Sequence, residues 1–313
     1  MDTLSIRHRT TYRYRCPVTF GEHRLMFRPR DSHDLRHVSS TLAISPTAAV
    51  RWRYDVFGNS IAIATFGEAA QELVFESDIV VEHYGFEGAY PPMEDYARKL
   101  PFSYAFEELP DLRRSMERHH RDPQHRLDAW VRRFLADGAG AETWQVLKAV
   151  NTAIHDEFAY AERAEEGVQT PIETLERASG TCRDFALLMM EAARTLGMAA
   201  RFVTGYLFDP GQAGSPHGLR GAGATHAWAM IYLPGAGWVE FDPTNGLIGG
   251  ANLIRVGVAR DPAQAIPVQG TYFGAAEDFI DMAVEVEVER IGETMPAAAL
   301  SPLSAPQGRR GSG

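Results

Sequence analysis

The sequence predicts an α+β protein in which an N-terminal antiparallel β-sandwich precedes a core that packs a cysteine-bearing helix against an antiparallel sheet. Two observations support this fold class. Apolar and polar residues alternate with a period of two in the first part of the chain, which is typical of strands with one buried face. Further along, apolar residues recur at helical spacing and are followed by a hairpin pattern.

Residues 1–85 contain several short segments with strand character. Gly58 and Asn59 form a turn signal between two of these segments. Short strands that are separated by turns favour a small antiparallel sandwich. The predicted strands are Leu4–Tyr14, Val50–Val56, Ile61–Ala64 and Leu73–Tyr84.

The rest of the chain is predicted to divide into three parts. Residues 86–140 form a connector with helices, residues 141–292 form a second domain, and residues 293–313, rich in Pro, Ala, Ser and Gly, form a disordered tail. Apolar residues at helical spacing predict two helices, and an alternating pattern predicts one late strand. The helices contain Leu127, Trp130, Val131, Phe134 and Leu135, and Val146, Leu147, Val150, Ile154 and Phe158; the strand contains Met282, Val284, Val286 and Val288.

Composition excludes several classes of protein. The chain has 313 residues and a formal net charge of −10, which argues against a nucleic-acid partner because phosphate binding needs a basic face. No apolar run is long enough to span a membrane, and the N-terminus lacks the basic start and apolar run of a secretory signal, so a cytoplasmic location is expected. Cys16 and Cys182 are too few for a disulfide framework and are expected to be free thiols.

Cys182 lies where a helix is predicted to begin. Thr181 can cap this helix, and Asp184 three residues later resembles a capping box with Asp in place of Glu. The unpaired N–H groups and the positive end of the helix dipole favour a thiolate in the first turn. A buried cysteine that packs as a small apolar residue is the alternative, and the position alone does not decide between the two.

A hairpin downstream supplies a base and a carboxylate. Thr225–Leu233 and Trp238–Pro243 are predicted strands, and a three-residue loop between them would pair Leu233 with Gly237. This register places Trp228 opposite Asp242 and makes His226 the diagonal neighbour of Asp242. A carboxylate on one ring nitrogen fixes the tautomer and stabilises the imidazolium. A structural histidine and a turn-forming Asp-Pro pair are the alternative.

Three sequence boxes closely resemble the bacterial transglutaminase-like family in type, order and spacing. The β-rich start also looks like the N-terminal β-domain that often accompanies this family. The resemblance implies a papain-like α+β core in which Cys182, His226 and Asp242 form a catalytic triad. The three boxes are Gly180–Ala186, Thr225–Trp228 and Trp238–Asn245, and the N-terminal likeness includes Tyr12–Tyr14 and Leu25–Arg30.

The family includes cross-linking acyltransferases, peptidases and other amide hydrolases, so the resemblance leaves the reaction open. We expect hydrolysis of a peptide or isopeptide bond in a peptide or protein substrate through a cysteine thioester. A transglutaminase that uses an amine acceptor and a non-catalytic binding module are the alternatives. The backbone N–H of Cys182 is expected to bind the oxyanion, and the segment around Phe158 and Tyr160 is a candidate for the second donor.

Three further residues are weaker candidates for the site. Trp228 and Tyr160 are candidates for its wall, although Trp228 fits an ordinary core aromatic equally well. Asp184 is expected to support the cysteine turn rather than to act as an acid or base.

The sequence contains no clear signal for a cofactor or a metal. The histidines near residue 120 lie in charged surroundings that favour a solvated helix face, and no oxygen-rich loop of calcium-site type is present. The glycine-rich stretch Gly211–Gly223 lacks the adjacent lysine and serine of a phosphate-binding loop. We therefore expect no cofactor, no metal and no membrane partner; the oligomeric state cannot be read from the sequence.

Overall fold

The computed structural model describes residues 2–85, 92–135, 140–161, 167–210, 219–221, 223–250 and 252–293. The predicted disordered tail falls outside these residues except at residue 293. Parts of the predicted connector, residues 86–91 and 136–139, also fall outside them.

The N-terminal part is built from six strands, and all four segments predicted in it are strands. The strands are Asp2–Phe20 (β1), His23–Leu25 (β2), Leu35–Ser45 (β3), Ala48–Tyr54 (β4), Ser60–Phe66 (β5) and Ala70–His83 (β6). β1, β6 and β3 are neighbours in one antiparallel sheet, and β2, β5 and β4 are neighbours in another. Apolar side chains of both sheets, including Tyr14, Leu25 and Phe75, share one buried cluster.

Five α-helices and seven strands come next among the described residues. They are Leu109–Met116 (α1), Arg126–Arg132 (α2), Thr143–Glu157 (α3), Ala159–Tyr160 (β7), Pro171–Arg177 (α4), Ser179–Gly180 (β8), Cys182–Thr195 (α5), Ala200–Leu207 (β9), His226–Leu233 (β10), Gly237–Asp242 (β11), Leu247–Ile248 (β12) and Leu253–Ala259 (β13). Both helices predicted from spacing are present, as α2 and α3, but Phe134 and Leu135 lie beyond the end of α2 and Phe158 lies just beyond α3.

The helix that begins with Cys182 packs on an antiparallel sheet in the strand order β12-β11-β10-β9-β13. Alternate residues of β10, including Ala229 and Ile231, join Phe185 and Leu188 of α5 in the largest buried cluster. The opposite face of β10 contributes Trp228 to a smaller cluster. A helix on an antiparallel sheet is the arrangement that the sequence predicts for this half of the chain.

The last three described strands return to the N-terminal part. They are Val268–Gln269 (β14), Tyr272–Phe273 (β15) and Phe279–Glu293 (β16). β16 pairs with β1 from Asp2 opposite Glu293 to Tyr14 opposite Phe279, while β15 pairs with β1 and β14 with β2. These strands therefore extend the N-terminal sheets. Apart from residue 293, they lie within the predicted second domain, residues 141–292.

Strand β13 joins the two parts of the molecule. Ile254 and Val256 are buried in one cluster with Ile6 and Ile61 of the N-terminal strands. The side chain of Asn59 donates to the Val258 carbonyl at 2.7 Å and accepts from its N–H at 2.9 Å. No helix among the described residues is long and apolar enough to cross a membrane.

Candidate active site

The turn before α5 holds Cys182 at the first position of the helix. The Oδ2 atom of Asp184 accepts hydrogen bonds from the Thr181 N–H at 2.8 Å and from the Thr181 hydroxyl at 2.9 Å. Its Oδ1 atom accepts from the N–H of Gln169 at 2.7 Å, and the Asp184 side chain is fully buried. Asp184 therefore ties the cysteine turn to the preceding segment. Only 7% of Cys182 is exposed.

The hairpin of β10 and β11 has the register that the sequence predicts, with Leu233 paired to Gly237. His226 begins β10 and Asp242 ends β11. The Nε2 atom of His226 lies 2.9 Å from Oδ2 of Asp242, and both side chains are enclosed by the protein. The diagonal contact expected from parity is thus formed.

The surroundings of His226 keep its ring charged. Burial by itself would lower the pKa of His226, but the charge and hydrogen bond of Asp242, together with the nearby Cys182 thiol, raise this pKa to about 10. Burial opposes ionisation of Asp242 as well, but the His226 charge and the hydrogen bonds from His226, Asn245 and the Thr244 N–H together outweigh it and lower the pKa of Asp242. At neutral pH the pair is therefore an imidazolium and a carboxylate.

The second ring nitrogen of His226 is buried without a hydrogen bond. Nδ1 has no partner among the described residues, and Cys182 is the side chain besides Asp242 that contributes to the raised pKa of the ring. Gly221 lies against this nitrogen, because a Cβ atom there would come within 2.8 Å of Nδ1. Gly221 also has a φ of +89°, which favours glycine.

Asn245 is a site residue that the sequence reasoning missed. Its amide nitrogen donates to Oδ2 of Asp242 at 2.8 Å and to the Arg220 carbonyl at 3.1 Å, and its oxygen accepts from the Arg220 N–H at 2.7 Å. One side chain thus connects Asp242 with the backbone beside Gly221. The available signal was an asparagine that directly follows the Asp-Pro-Thr turn.

Trp228 and Tyr160 flank the site in different ways. The Trp228 indole stacks on the His226 ring with centroids 5.9 Å apart and an interplanar angle of 27°. Trp228 is fully buried, so it contacts the site through His226. Tyr160 lies in β7, which pairs in parallel with β8 and places Tyr160 beside Gly180, two residues before the cysteine.

Comparison with known proteins identifies the family. The profile of the bacterial transglutaminase-like N-terminal region matches residues 4–82, and that of the transglutaminase-like superfamily matches residues 129–243. An uncharacterized protein of Mycobacterium tuberculosis (strain ATCC 25618 / H37Rv) is 31% identical over 297 residues, which cover 90% of this chain and 91% of that protein. An uncharacterized protein of Mycobacterium leprae is 34% identical over 115 residues, 37% of this chain and 40% of that protein.

A solved structure has the same fold. The crystal structure of a protein from Cytophaga hutchinsonii, described as a "Putative Cysteine Protease", superposes with a TM-score of 0.70 at 17% identity. The match covers 94% of this chain and 92% of that protein. At this identity the likeness shows the fold alone. The Mycobacterium tuberculosis match and both profiles show the family. The chain therefore belongs to the transglutaminase-like superfamily and carries the bacterial transglutaminase-like N-terminal region.

Proposed function

We propose that this protein is a cysteine-dependent enzyme that breaks amide bonds by acyl transfer, with hydrolysis of a peptide or isopeptide bond as its reaction. The observation that supports this most is the buried His226–Asp242 pair, whose raised pKa also depends on Cys182 at the first position of α5. An imidazolium and a helix N-terminus both favour a thiolate. Cys182, His226 and Asp242 are the proposed catalytic residues.

The proposed cycle has two halves. The Cys182 thiolate attacks the amide carbonyl carbon, and the resulting oxyanion is held in part by the Cys182 backbone N–H. His226 then gives its Nδ1 proton to the leaving nitrogen as the C–N bond breaks, which leaves a thioester and neutral imidazole. In the second half, His226 takes a proton from water, the resulting hydroxide attacks the thioester, and the acid leaves as the thiolate and imidazolium return.

The neighbouring residues have supporting roles in this proposal. Asp242 orients the ring and stabilises its charge, and Asp184 fixes the turn that carries the nucleophile. Tyr160 and Ala161 are candidates to border the acyl pocket, because the Ala161 N–H donates to the Gly180 carbonyl at 3.0 Å and holds this segment along the cysteine turn. A peptide or protein amide is the proposed substrate.

The rate of Cys182 alkylation as a function of pH tests the charged pair. Cys16 is exposed and would also react, so the measurement uses Cys16→Ser as the parent. We expect iodoacetamide to modify Cys182 rapidly below pH 7, where an ordinary thiol with a pKa of about 8.5 reacts slowly. His226→Ala should reduce the rate at pH 6 at least about tenfold, because the imidazolium is gone. His33→Ala, an exposed histidine, is the matched control.

A Cys182 that reacts like a free thiol, whether or not His226 is present, would contradict the proposal. The non-catalytic binding module would then be the better hypothesis. Rapid alkylation below pH 7 would instead justify a search for the acyl donor.

Hydrolysis and transamidation are separated by the fate of the acyl group. Glutamine-containing peptides are incubated with the protein and a fluorescent primary amine, and the products are identified by mass spectrometry. Release of free acid at a rate that the amine does not change supports hydrolysis. Incorporation of the amine as the main product supports the transglutaminase alternative, and Cys182→Ser should abolish either reaction.

A further inference from the structure

The N-terminal part contains a basic cavity that the proposed chemistry does not use. The cavity has a volume of about 650 Å³ and is lined by Arg28, Arg30, Arg53, His37, Trp52 and Tyr54. Asp31 is the carboxylate in its lining, and its Oδ1 atom accepts from the His37 N–H at 2.6 Å. None of the three arginines has a carboxylate within 4.0 Å among the described residues. The lining of this cavity is therefore basic, although the chain as a whole has a net charge of −10.

Two of these guanidinium groups are held in place by neutral partners. Arg30 donates from Nη1 to the carbonyls of Phe57 and Gly58, at 3.2 and 2.6 Å. Arg28 lies over the Trp52 ring, 5.7 Å from its centroid. Each arginine keeps further N–H donors for a ligand, since a guanidinium carries five. A held guanidinium loses little side-chain entropy when a carboxylate binds it.

A second cavity adjoins the basic one. It has a volume of about 270 Å³ and shares Arg28 and Trp52 with the basic cavity. Its other lining residues are the apolar Leu25, Phe27, Leu42, Val50 and Ala62 and the hydroxyl residues Ser40, Thr41 and Ser77. Lining residues come from β3 and β4, which are the terminal strands of their sheets. Terminal strands present backbone N–H and C=O groups to an extended chain. Trp52 is 48% exposed and Tyr54 77% exposed, so both rings are accessible.

The rim of the basic cavity is attached to the sheet that carries His226. Arg255 of β13 donates to Asp34 at 3.0 Å and to the Ser32 hydroxyl at 3.3 Å. Ser32 directly follows Asp31, which lines the basic cavity. On the other side, Asn59 follows Gly58 and is hydrogen-bonded to Val258 of β13. A chain bound in this groove would be held by segments that are fixed to the candidate catalytic half.

We propose that this groove, formed by the two adjoining cavities, binds an extended peptide segment that is acidic at one end and apolar at the other. The carboxylates contact Arg28 and Arg30, and the apolar side chains occupy the cavity beside Val50. A peptide fits better than a nucleic acid, because the groove combines its basic end with an apolar stretch and two strand edges. The inference concerns binding and does not depend on the chemistry proposed for Cys182; where that proposed function holds, the groove recruits peptide substrates.

Fluorescence anisotropy with a defined peptide tests the groove. The probe is a fluorescein-labelled hexapeptide of three leucines and three glutamates, about 20 Å long when extended, used in both sequence orders. The protein is the full chain with Cys182→Ser, so that the probe is not consumed. We expect saturable binding of one of the two orders, and at least about tenfold weaker binding of the same peptide with lysines in place of glutamates. Binding should weaken between 0.05 and 0.5 M salt, because screening shortens the reach of the charges.

Variants locate the binding in the groove. Arg28→Gln with Arg30→Gln should weaken binding at least about tenfold. Val50→Glu, at a position already 40% exposed, should also weaken it by placing a carboxylate in the apolar part. The matched control is Arg51→Gln in the same strand, because Arg51 pairs with Glu22 at 2.9 Å and does not line the groove. Thermal unfolding of each variant checks that it is folded.

Three results would overturn the inference. The first is unchanged affinity in both the double arginine variant and Val50→Glu. The second is equal or tighter binding of a hexanucleotide of thymidines, which would indicate a general anion surface. The third is displacement of the peptide by inorganic phosphate at concentrations comparable with that of the peptide.

Discussion

At the scale of single residues, the carboxylate beside a buried histidine decides its charge. His8 and His226 are both buried, but His8 contacts the hydroxyls of Tyr206 and Thr10 at 2.9 and 3.0 Å. Burial lowers the pKa of His8 to about 4, because neutral partners do not offset the loss of solvation. Burial acts on His226 in the same direction, and Asp242 reverses the outcome. The two histidines thus form an internal comparison for the candidate active site.

Asp242→Asn should return His226 to the behaviour of His8. The raised pKa of His226 contributes stability that is complete below about pH 6.5 and is lost as pH rises through about 10. In the parent, the free energy of unfolding should therefore decline between pH 7 and pH 10 more than in Asp242→Asn. Urea unfolding at several pH values measures this difference, and NMR titration of the imidazole protons follows the ring directly. An unchanged His226 titration in the variant would show that Asp242 does not set the charge.

The residue-level contacts were predictable where local geometry determines them. The parity of His226 and Asp242, combined with a three-residue loop, is enough to bring the two side chains together. Asn245 was not predictable in the same way, because its role depends on Arg220, which lies 25 positions away in sequence. No periodic pattern encodes where that loop backbone runs.

At the scale of elements, the start of α5 is fixed by one buried carboxylate. Asp184 accepts from the N–H groups of Thr181 and Gln169, from the Thr181 hydroxyl, and from the Gln169 amide at 3.2 Å. The short parallel pair of β7 and β8 holds the same turn from the other side. Helix capping in this protein therefore also positions the candidate nucleophile.

Asp184→Ala should lower the free energy of unfolding by about 3 kcal/mol, because several buried donors lose a charged acceptor. It should also slow Cys182 alkylation, since the turn that carries the thiol loses its anchor. The control is Asp111→Ala, which removes an exposed aspartate from the first turn of α1 and should cost less than about 1 kcal/mol. Equal effects of the two substitutions in urea unfolding would show that the Asp184 hydrogen bonds do not stabilise the turn.

The elements themselves were largely readable from the sequence, but some of their limits were not. The capping pattern at Thr181 and Asp184 predicted the start of α5. The first strand was predicted to end at Tyr14, whereas β1 continues to Phe20. Pro17 lies within this extension at a place where the pairing with β6 shifts register between Arg13 and Val18, so its missing N–H does not interrupt a regular ladder.

At the scale of the whole molecule, both ends of the described chain lie in one sheet. The alternation of Val284, Val286 and Val288 predicted a strand, but alternation does not name a partner, and β16 lies beside β1. The predicted division of the chain after residues 85 and 140 stays a prediction. The two parts are joined at β13, where apolar packing and the ion pairs of Arg255 coincide.

Arg255→Leu tests how much this junction contributes to stability. Arg255 pairs with Asp34 at 3.0 Å and with Glu240 at 2.6 Å, and Glu240 is 5% exposed. Removing the guanidinium leaves a buried carboxylate without its cation, which should cost about 3 kcal/mol at pH 8. Burial already raises the pKa of Glu240, and the substitution should raise it further. A carboxyl group whose pKa is higher in the folded state destabilises the protein as pH rises above the pKa of that group in the unfolded chain. The loss of stability caused by Arg255→Leu should therefore be smaller at pH 5.

A second substitution separates the buried charge from the lost packing. Glu240→Gln in the Arg255→Leu background removes the unpaired carboxylate, so it should recover part of the deficit at pH 8 and abolish its pH dependence. The surface control is Arg36→Leu. The Arg36 side chain is 68% exposed, so its ion pair with Glu82 should contribute less than about 1 kcal/mol to the free energy of unfolding. Urea unfolding at pH 5 and pH 8 gives all of these values. A deficit in Arg255→Leu that is the same at both pH values, and that Glu240→Gln does not reduce, would mean that apolar packing alone holds β13 against the N-terminal strands.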